Sequence, residues 1–150
     1  MRMDKKFFTD IKTLSLNYAL DFLGQKQFVH LFKIHSIALI GGSARYYFHN
    51  DKWIDGDRDI DIDIYFTPTR QVNMSTKMSV FTQGRPILKN YNNKPVDISR
   101  FVLPNDSNDF VKDVKEYGKH KSRNSERWRR RMDSPIIFIH PEIKLLENFS

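Results

Sequence analysis

The chain switches between stretches with helical spacing of apolar positions and short runs where apolar residues are continuous or alternate with polar ones. Residues 4–32 carry an apolar stripe at Leu14, Leu16, Tyr18, Leu20, Phe22 and Leu23, with Gly24 as a stop. Residues 36–40 (SIALI) form a short apolar run ended by two glycines, the pattern of a buried strand. Ser43 is placed to cap a short helix over residues 44–50, and residues 53–56 read as a loop. Residues 60–66 predict a second strand, closed by Thr67-Pro68. Residues 78–82 and 86–91 are weaker strand candidates, and Asn92-Asn93 signals a turn. Residues 96–103 (VDISRFVL) predict another strand, ended by Pro104. Asn108 or Asp109 opens a helix reaching about His120, residues 136–139 are apolar, and residues 141–149 predict a last helix with Pro141 in its first turn. Strands and helices interspersed in this order make the fold class α+β. The 150 residues suit one domain, with a core over about 36–103 and a helical, basic part over about 105–150.

One strand does not fit its own composition. In DRDIDIDIYF, and just before it, Asp55, Asp57, Asp59, Asp61 and Asp63 fall at every second position. Asp is depleted in strands, yet Ile60, Ile62, Ile64, Tyr65 and Phe66 leave few alternatives to one. Charge is uneven along the rest of the chain too. The net charge is +7, but residues 51–63 hold six Asp against Lys52 and Arg58, while residues 112–132 hold nine Lys or Arg against three acids. An acidic focus beside a basic segment describes a site that gathers cations next to a surface that gathers phosphates. There is no cysteine, so disulfides and thiolate metal sites are excluded, which suits a reducing, cytoplasmic setting. No run approaches the ~20 apolar residues of a membrane span, and the opening MRMDKKFFTD lacks the apolar core of a signal peptide.

Alternate residues of a strand share a face about 7 Å apart. Carboxylates held that close repel unless protons or cations intervene. Two of them can reach a pair of divalent ions lying about 3.5–4 Å apart, an arrangement suited to in-line displacement at phosphorus. Hard oxygen ligands and phosphate oxygens suit Mg2+, or Mn2+. Two plainer readings stand beside this one. Acidic residues are ordinary on an exposed strand face. A calcium loop has the alternate spacing of Asp57, Asp59 and Asp61, but Ile62 replaces its glycine and Pro68 its closing glutamate. A second signal is Gly41-Gly42-Ser43, between the SIALI strand and a helix. Glycines let a backbone approach a phosphate, and a helix N-terminus offers free N–H donors. Ser43 adds a hydroxyl, and Arg45 lies in the first turn. The chain has neither GxxxxGK[ST] nor GxGxxG.

GGSAR followed by DIDIYFTP resembles the signature of the nucleotidyltransferase superfamily, which includes DNA polymerase beta, poly(A) polymerases, CCA-adding enzymes and the minimal nucleotidyltransferases of toxin–antitoxin systems. Val96-Asp97-Ile98 matches the third element of that signature, a carboxylate between apolar residues on a neighbouring strand. The resemblance covers about residues 36–103. It implies a mixed β-sheet with helices packed on it, and Mg2+-dependent transfer of a nucleoside monophosphate from a nucleoside triphosphate such as ATP. It implies that Gly41, Gly42, Ser43 and Arg45 hold the triphosphate and that Asp61, Asp63 and Asp97 are catalytic and bind metal. Asp59 and Asp61 are the alternative pair, shifted by two residues on the same face; Asp55 and Asp57 would lie in the loop. The stretch between Gly42 and Asp61, with Trp53 in it, departs from the family pattern in length. Asp97 alone could also be an edge-strand charge, and Arg100 could meet a phosphate or pair with Asp97.

The basic segment offers a third feature. Lys121, Arg127, Arg129, Arg130 and Arg131 supply phosphate affinity around Trp128, which either stacks on a base or packs in the core. Tyr46, Tyr47 and Phe48 read as helix packing, with adenine stacking open to one of them. The acceptor is then an RNA or tRNA end, a protein hydroxyl or a small molecule. A partner protein or a second copy of the chain would help position it. Two other functions compete. A nucleic-acid-binding module that has lost catalysis is disfavoured by three separated carboxylates. A metal-dependent phosphohydrolase or nuclease leaves the Gly-Gly-Ser turn without a purpose.

Overall fold

The computed structural model describes every residue except Asp57, and the backbone alone at Gly84, Arg85 and Pro86. The described residues form a mixed α+β fold, as the element pattern predicts. One sheet contains β1 (Phe32–Ile40), β2 (Ile60–Pro68), β3 (Thr82–Tyr91), β4 (Lys94–Val102), β5 (Ile136–His140) and β6 (Lys144–Leu146). Their order is β3-β4-β2-β1-β5-β6. Only β2 and β4 run parallel; the other neighbours are antiparallel. The helices are α1 (Lys5–Leu23), α2 (Gly41–His49), α3 (Met74–Val80), α4 (Phe110–Ser122) and α5 (Glu126–Met132).

Alternation along the strands divides the core in two. Ile37 and Leu39 of β1, Ile60, Ile62, Ile64 and Phe66 of β2, and Val96 and Ile98 of β4 pack with Phe7, Ile11 and Phe22 of α1 and Ala44 of α2. The opposite face presents Ala38, Tyr65, Phe101, Leu103 and Phe138 to Val114 and Tyr117 of α4 and to Trp128 and Met132 of α5. Each face thus has its own helical cover, and the Asp column of β2 belongs to the α4/α5 face.

Local signals account for most boundaries. Asp4 accepts the Phe7 N–H at 3.0 Å and starts α1, which stops at Gly24. The helical reading of residues 4–32 therefore extends too far: residues 24–31 turn. Asn92 and Asn93 both adopt positive φ, 48° and 63°, and join β3 to β4 in the tight turn their sequence predicts. Asp109 accepts the Lys112 N–H and caps α4; Ser125 accepts from Trp128 and caps α5.

Further expectations need correction. The weak strand over 78–82 is largely helix α3, capped by Asn73, which accepts the Thr76 N–H at 2.8 Å. Ser43 does not cap α2, because the helix already begins at Gly41. The last helix over 141–149 is absent; β6 forms there instead, with Leu145 opposite Ile137 of β5. An available sheet edge supplies backbone partners that a nine-residue helix would have had to find for itself. The part after residue 105 is accordingly not only helical, since it adds two strands to the same sheet. Among the described residues no helix is long and apolar enough to cross a membrane.

Candidate functional site

The parallel pairing of β2 with β4 sets Asp61 opposite Asp97. Neighbouring strands lie about 4.8 Å apart, so two carboxylates separated by 36 positions in the sequence become neighbours at the N-terminal end of both strands. Asp59, exposed just ahead of β2, is within hydrogen-bonding reach of Asp97. Asp97 is raised above the usual carboxylate range, first by burial and then by the neighbouring Asp59. Asp61 is pushed up to about 6, first by burial and then by repulsion from Asp97, Asp59 and Asp63. One oxygen of Asp97, Oδ1, is buried with no hydrogen-bond partner.

The Gly-Gly-Ser turn closes directly onto this cluster. Gly41 has φ +59°, and a Cβ there would stand 2.8 Å from Oδ2 of Asp61. Only glycine allows both the left-handed backbone and that approach. The Gly42 N–H donates to the Asp61 carboxylate and holds its pKa down somewhat. Ser43 is fully buried; its hydroxyl donates to the Ile40 carbonyl at 2.9 Å and accepts the Asp61 N–H at 3.3 Å. Ser43 therefore ties the turn to β2 and has no face open to a phosphate, which corrects its expected part in direct contact.

Asp63, two residues further along the same face, has a different environment. It is fully buried, accepts from the Tyr65 hydroxyl at 2.9 Å and pairs with the Arg131 guanidinium of α5. Burial raises its pKa, and Arg131 opposes that rise. Arg131 in turn lies over Trp128 at 4.4 Å. Two expected nucleic-acid contacts thus belong to the interior. Arg131 is the partner of Asp63, and Trp128, 7% exposed, packs edge-on against Phe101 and Tyr117 at 5.3 and 5.4 Å. Of the two roles its sequence leaves open, packing is the one observed.

Asp61 separates two hollows. A broad cleft of about 1070 Å³ on the α2 side is lined by Arg45, Tyr46, His49, Arg58, Asp59 and Asp61. Arg58 lies over the Tyr46 ring at 5.8 Å. A smaller cavity of about 240 Å³ on the α5 side meets Gly41, Asp61, Asp97, Ser99, Arg127 and Arg131. The exposed side chains of Arg127, Arg129 and Arg130 stand on α5, and exposed Lys121 reaches over the Tyr117 ring at 5.4 Å. Arg100 lies on the opposite face of the sheet, bonded to the Val80 carbonyl and the Tyr18 hydroxyl, so it serves neither Asp97 nor a ligand there. Tyr47 packs on Phe8 at 5.5 Å, which leaves Tyr46 as the aromatic of α2 that faces the cleft. Asp55 is exposed in the loop before β2, where Lys94 donates to its carbonyl at 3.1 Å; Asp57 lies outside the described residues.

The donor set suits a hard divalent cation. Asp59, Asp61 and Asp97 offer oxygens only, their mutual repulsion falls when a cation or proton intervenes, and Asp97 Oδ1 lacks a partner. Among the described residues no three acidic or histidine side chains already converge on one point as a ready metal cage. Sequence reasoning missed Arg58 and His49 as cleft residues. Arg58 carried a signal, since it is the cation inside the acidic run. Comparison with protein-family models, curated proteins and solved structures finds no match for this chain.

Proposed function

We propose that the protein is a nucleotidyltransferase that moves a nucleoside monophosphate from a nucleoside triphosphate to an acceptor. The observation that carries this reading is the pairing of Asp61 with Asp97 across β2 and β4, with the Gly41-Gly42 turn closed against Asp61 at the edge of a cleft furnished with Asp59, Arg45 and Arg58. The fold would then be that of the nucleotidyltransferase superfamily, the group its motifs resemble.

In this reading Asp59, Asp61 and Asp97 hold Mg2+ or Mn2+, and Asp63 is a structural ion-pair partner. When bound, the ion supplies charge for the phosphate oxygens and lowers the pKa of an attacking hydroxyl. The chain's own groups do the rest. Arg45 and Arg58 orient the triphosphate in the cleft, and Tyr46 offers a ring for the base. In this reading Asp97 takes the proton of the acceptor hydroxyl as that oxygen bonds the α-phosphorus and pyrophosphate leaves. The Gly42 N–H fixes the carboxylate of Asp61. The exposed basic side chains of α4 and α5 favour an RNA or tRNA end as acceptor.

The test uses ATP labelled at the α-phosphate with Mg2+ or Mn2+ and total RNA, protein or small-molecule extract. Label should join one acceptor fraction. D61N and D97N should each lower transfer by more than about a hundredfold, while D55N transfers like the parent. Release of free labelled nucleotide with no acceptor labelled would point instead to a phosphohydrolase.

A further inference from the structure

A third hollow lies on the α5 side of the sheet, between α5, β1, β2 and the start of β5. It measures about 390 Å³ and is more enclosed than the broad cleft on the α2 side. Its walls are of two kinds. Tyr65, Trp128, Met132, Pro135, Ile136 and Phe149 make an apolar floor. Arg45, Arg127 and Arg130 stand around it with exposed side chains. Among the described residues none of these three arginines has a carboxylate partner; the nearby acid, Asp63, is taken by Arg131. Arginines that are in no salt bridge keep their N–H donors free for an anion. Guanidinium groups bind phosphate and carboxylate through paired N–H donors. An apolar floor beneath a cationic rim matches a ligand with an apolar ring at one end and an anionic group at the other.

We propose that this cavity binds a small organic anion, an aromatic or similarly apolar body bearing a phosphate, with the body against Trp128 and Ile136 and the phosphate held by Arg127 and Arg130. The cavity shares Ile40, Gly41, Arg127 and Arg131 with the hollow that reaches Asp61 and Asp97. A molecule seated there lies beside those carboxylates, which is where a small-molecule acceptor would need to be. The binding itself does not rest on the transferase reading, because it requires neither nucleotide nor metal.

The experiment measures binding by calorimetry, without nucleotide and with EDTA, using 1-naphthyl phosphate as the probe and inorganic phosphate and 1-naphthol as its two halves. The naphthyl phosphate should bind at least about tenfold more tightly than either half. R127Q and R130Q, both at exposed positions that leave the core intact, should together weaken it by about tenfold or more. R129Q lines a separate depression and should change it by less than about twofold. The proposal is overturned if inorganic phosphate or naphthol alone binds as well as the probe. It also fails if the paired substitution has no more effect than R129Q. A transfer assay that finds no activity would end the transferase reading and leave this result standing.

Discussion

Asp61 and Asp63 are the same residue on the same face of one strand, two positions apart, yet they have opposite surroundings. Asp61 meets Asp97 and Asp59, and its pKa rises to about 6. Asp63 meets Arg131 and the Tyr65 hydroxyl and is sealed under α5. At the outer end of β2 the structure leaves like charges facing one another. At the inner end burial also raises Asp63, but a guanidinium from 68 positions away opposes that rise, and one oxygen, Oδ1, is left without a partner. Repulsion tolerated at one end and opposed at the other distinguishes a carboxylate available to a cation from one that fastens a helix to the sheet.

The largest test of that contrast is D63N. Removing one partner of a buried ion pair strands the other, so the fold should lose about 3–5 kcal/mol in urea unfolding. Combining D63N with R131M should recover most of that loss, since no unpaired charge remains. The division between the two aspartates breaks if D63N unfolds like the parent but has lost nucleotidyl transfer, because Asp63 would then be a ligand.

A smaller effect concerns pH in metal-free buffer. A carboxyl whose folded-state pKa is about 6, against an ordinary 3.8, binds its proton more tightly in the folded than in the unfolded chain. Its contribution to stability is therefore greatest at low pH and falls as pH rises from about 4 to about 6. Above that window D61N should be more stable than the parent by on the order of 1–3 kcal/mol, and below it the difference should shrink. Millimolar Mg2+ should raise the melting temperature of the parent more at pH 7.5 than at pH 4.5, with little effect on D61N. Equal shifts at both pH values would remove the cation from the account of this cluster.

The smallest effect is on the basic face. Changing Arg127, Arg129 and Arg130 to Gln, with Arg131 left in place, should weaken RNA binding by about tenfold at moderate salt. It should also flatten the salt dependence by roughly 0.7 in slope for each phosphate no longer neutralised. RNA affinity that survives the triple change would make Arg129 a solvated charge and leave the walled cavity as the use of Arg127 and Arg130.

The sheet and most of its covering were legible because they rest on local rules. Alternating isoleucines wrote β2, Asn92-Asn93 wrote the hairpin, and Asp109 marked the start of α4. Misread elements were those whose local signals were weak or overruled. Asn73 hid a short helix in a segment with few apolar positions, and the last segment paired with β5 because an edge strand was there to receive it.

The sequence alone carries the period of two that turns Asp61 and Asp63 one way, and the Gly41-Gly42 break between a strand and a helix. Which carboxylates remain open was a matter for the tertiary structure. Asp97 is neighbour to Asp61 only through the β2–β4 register, and Arg131 finds Asp63 only because α5 folds back over that face. Trp128 followed the same logic: an aromatic among arginines reads equally as a stacking platform or a core residue, and the sheet beneath it decides for the core. Side-chain direction is set within a strand by the backbone, but the charge and burial each side chain meets come from residues far along the chain.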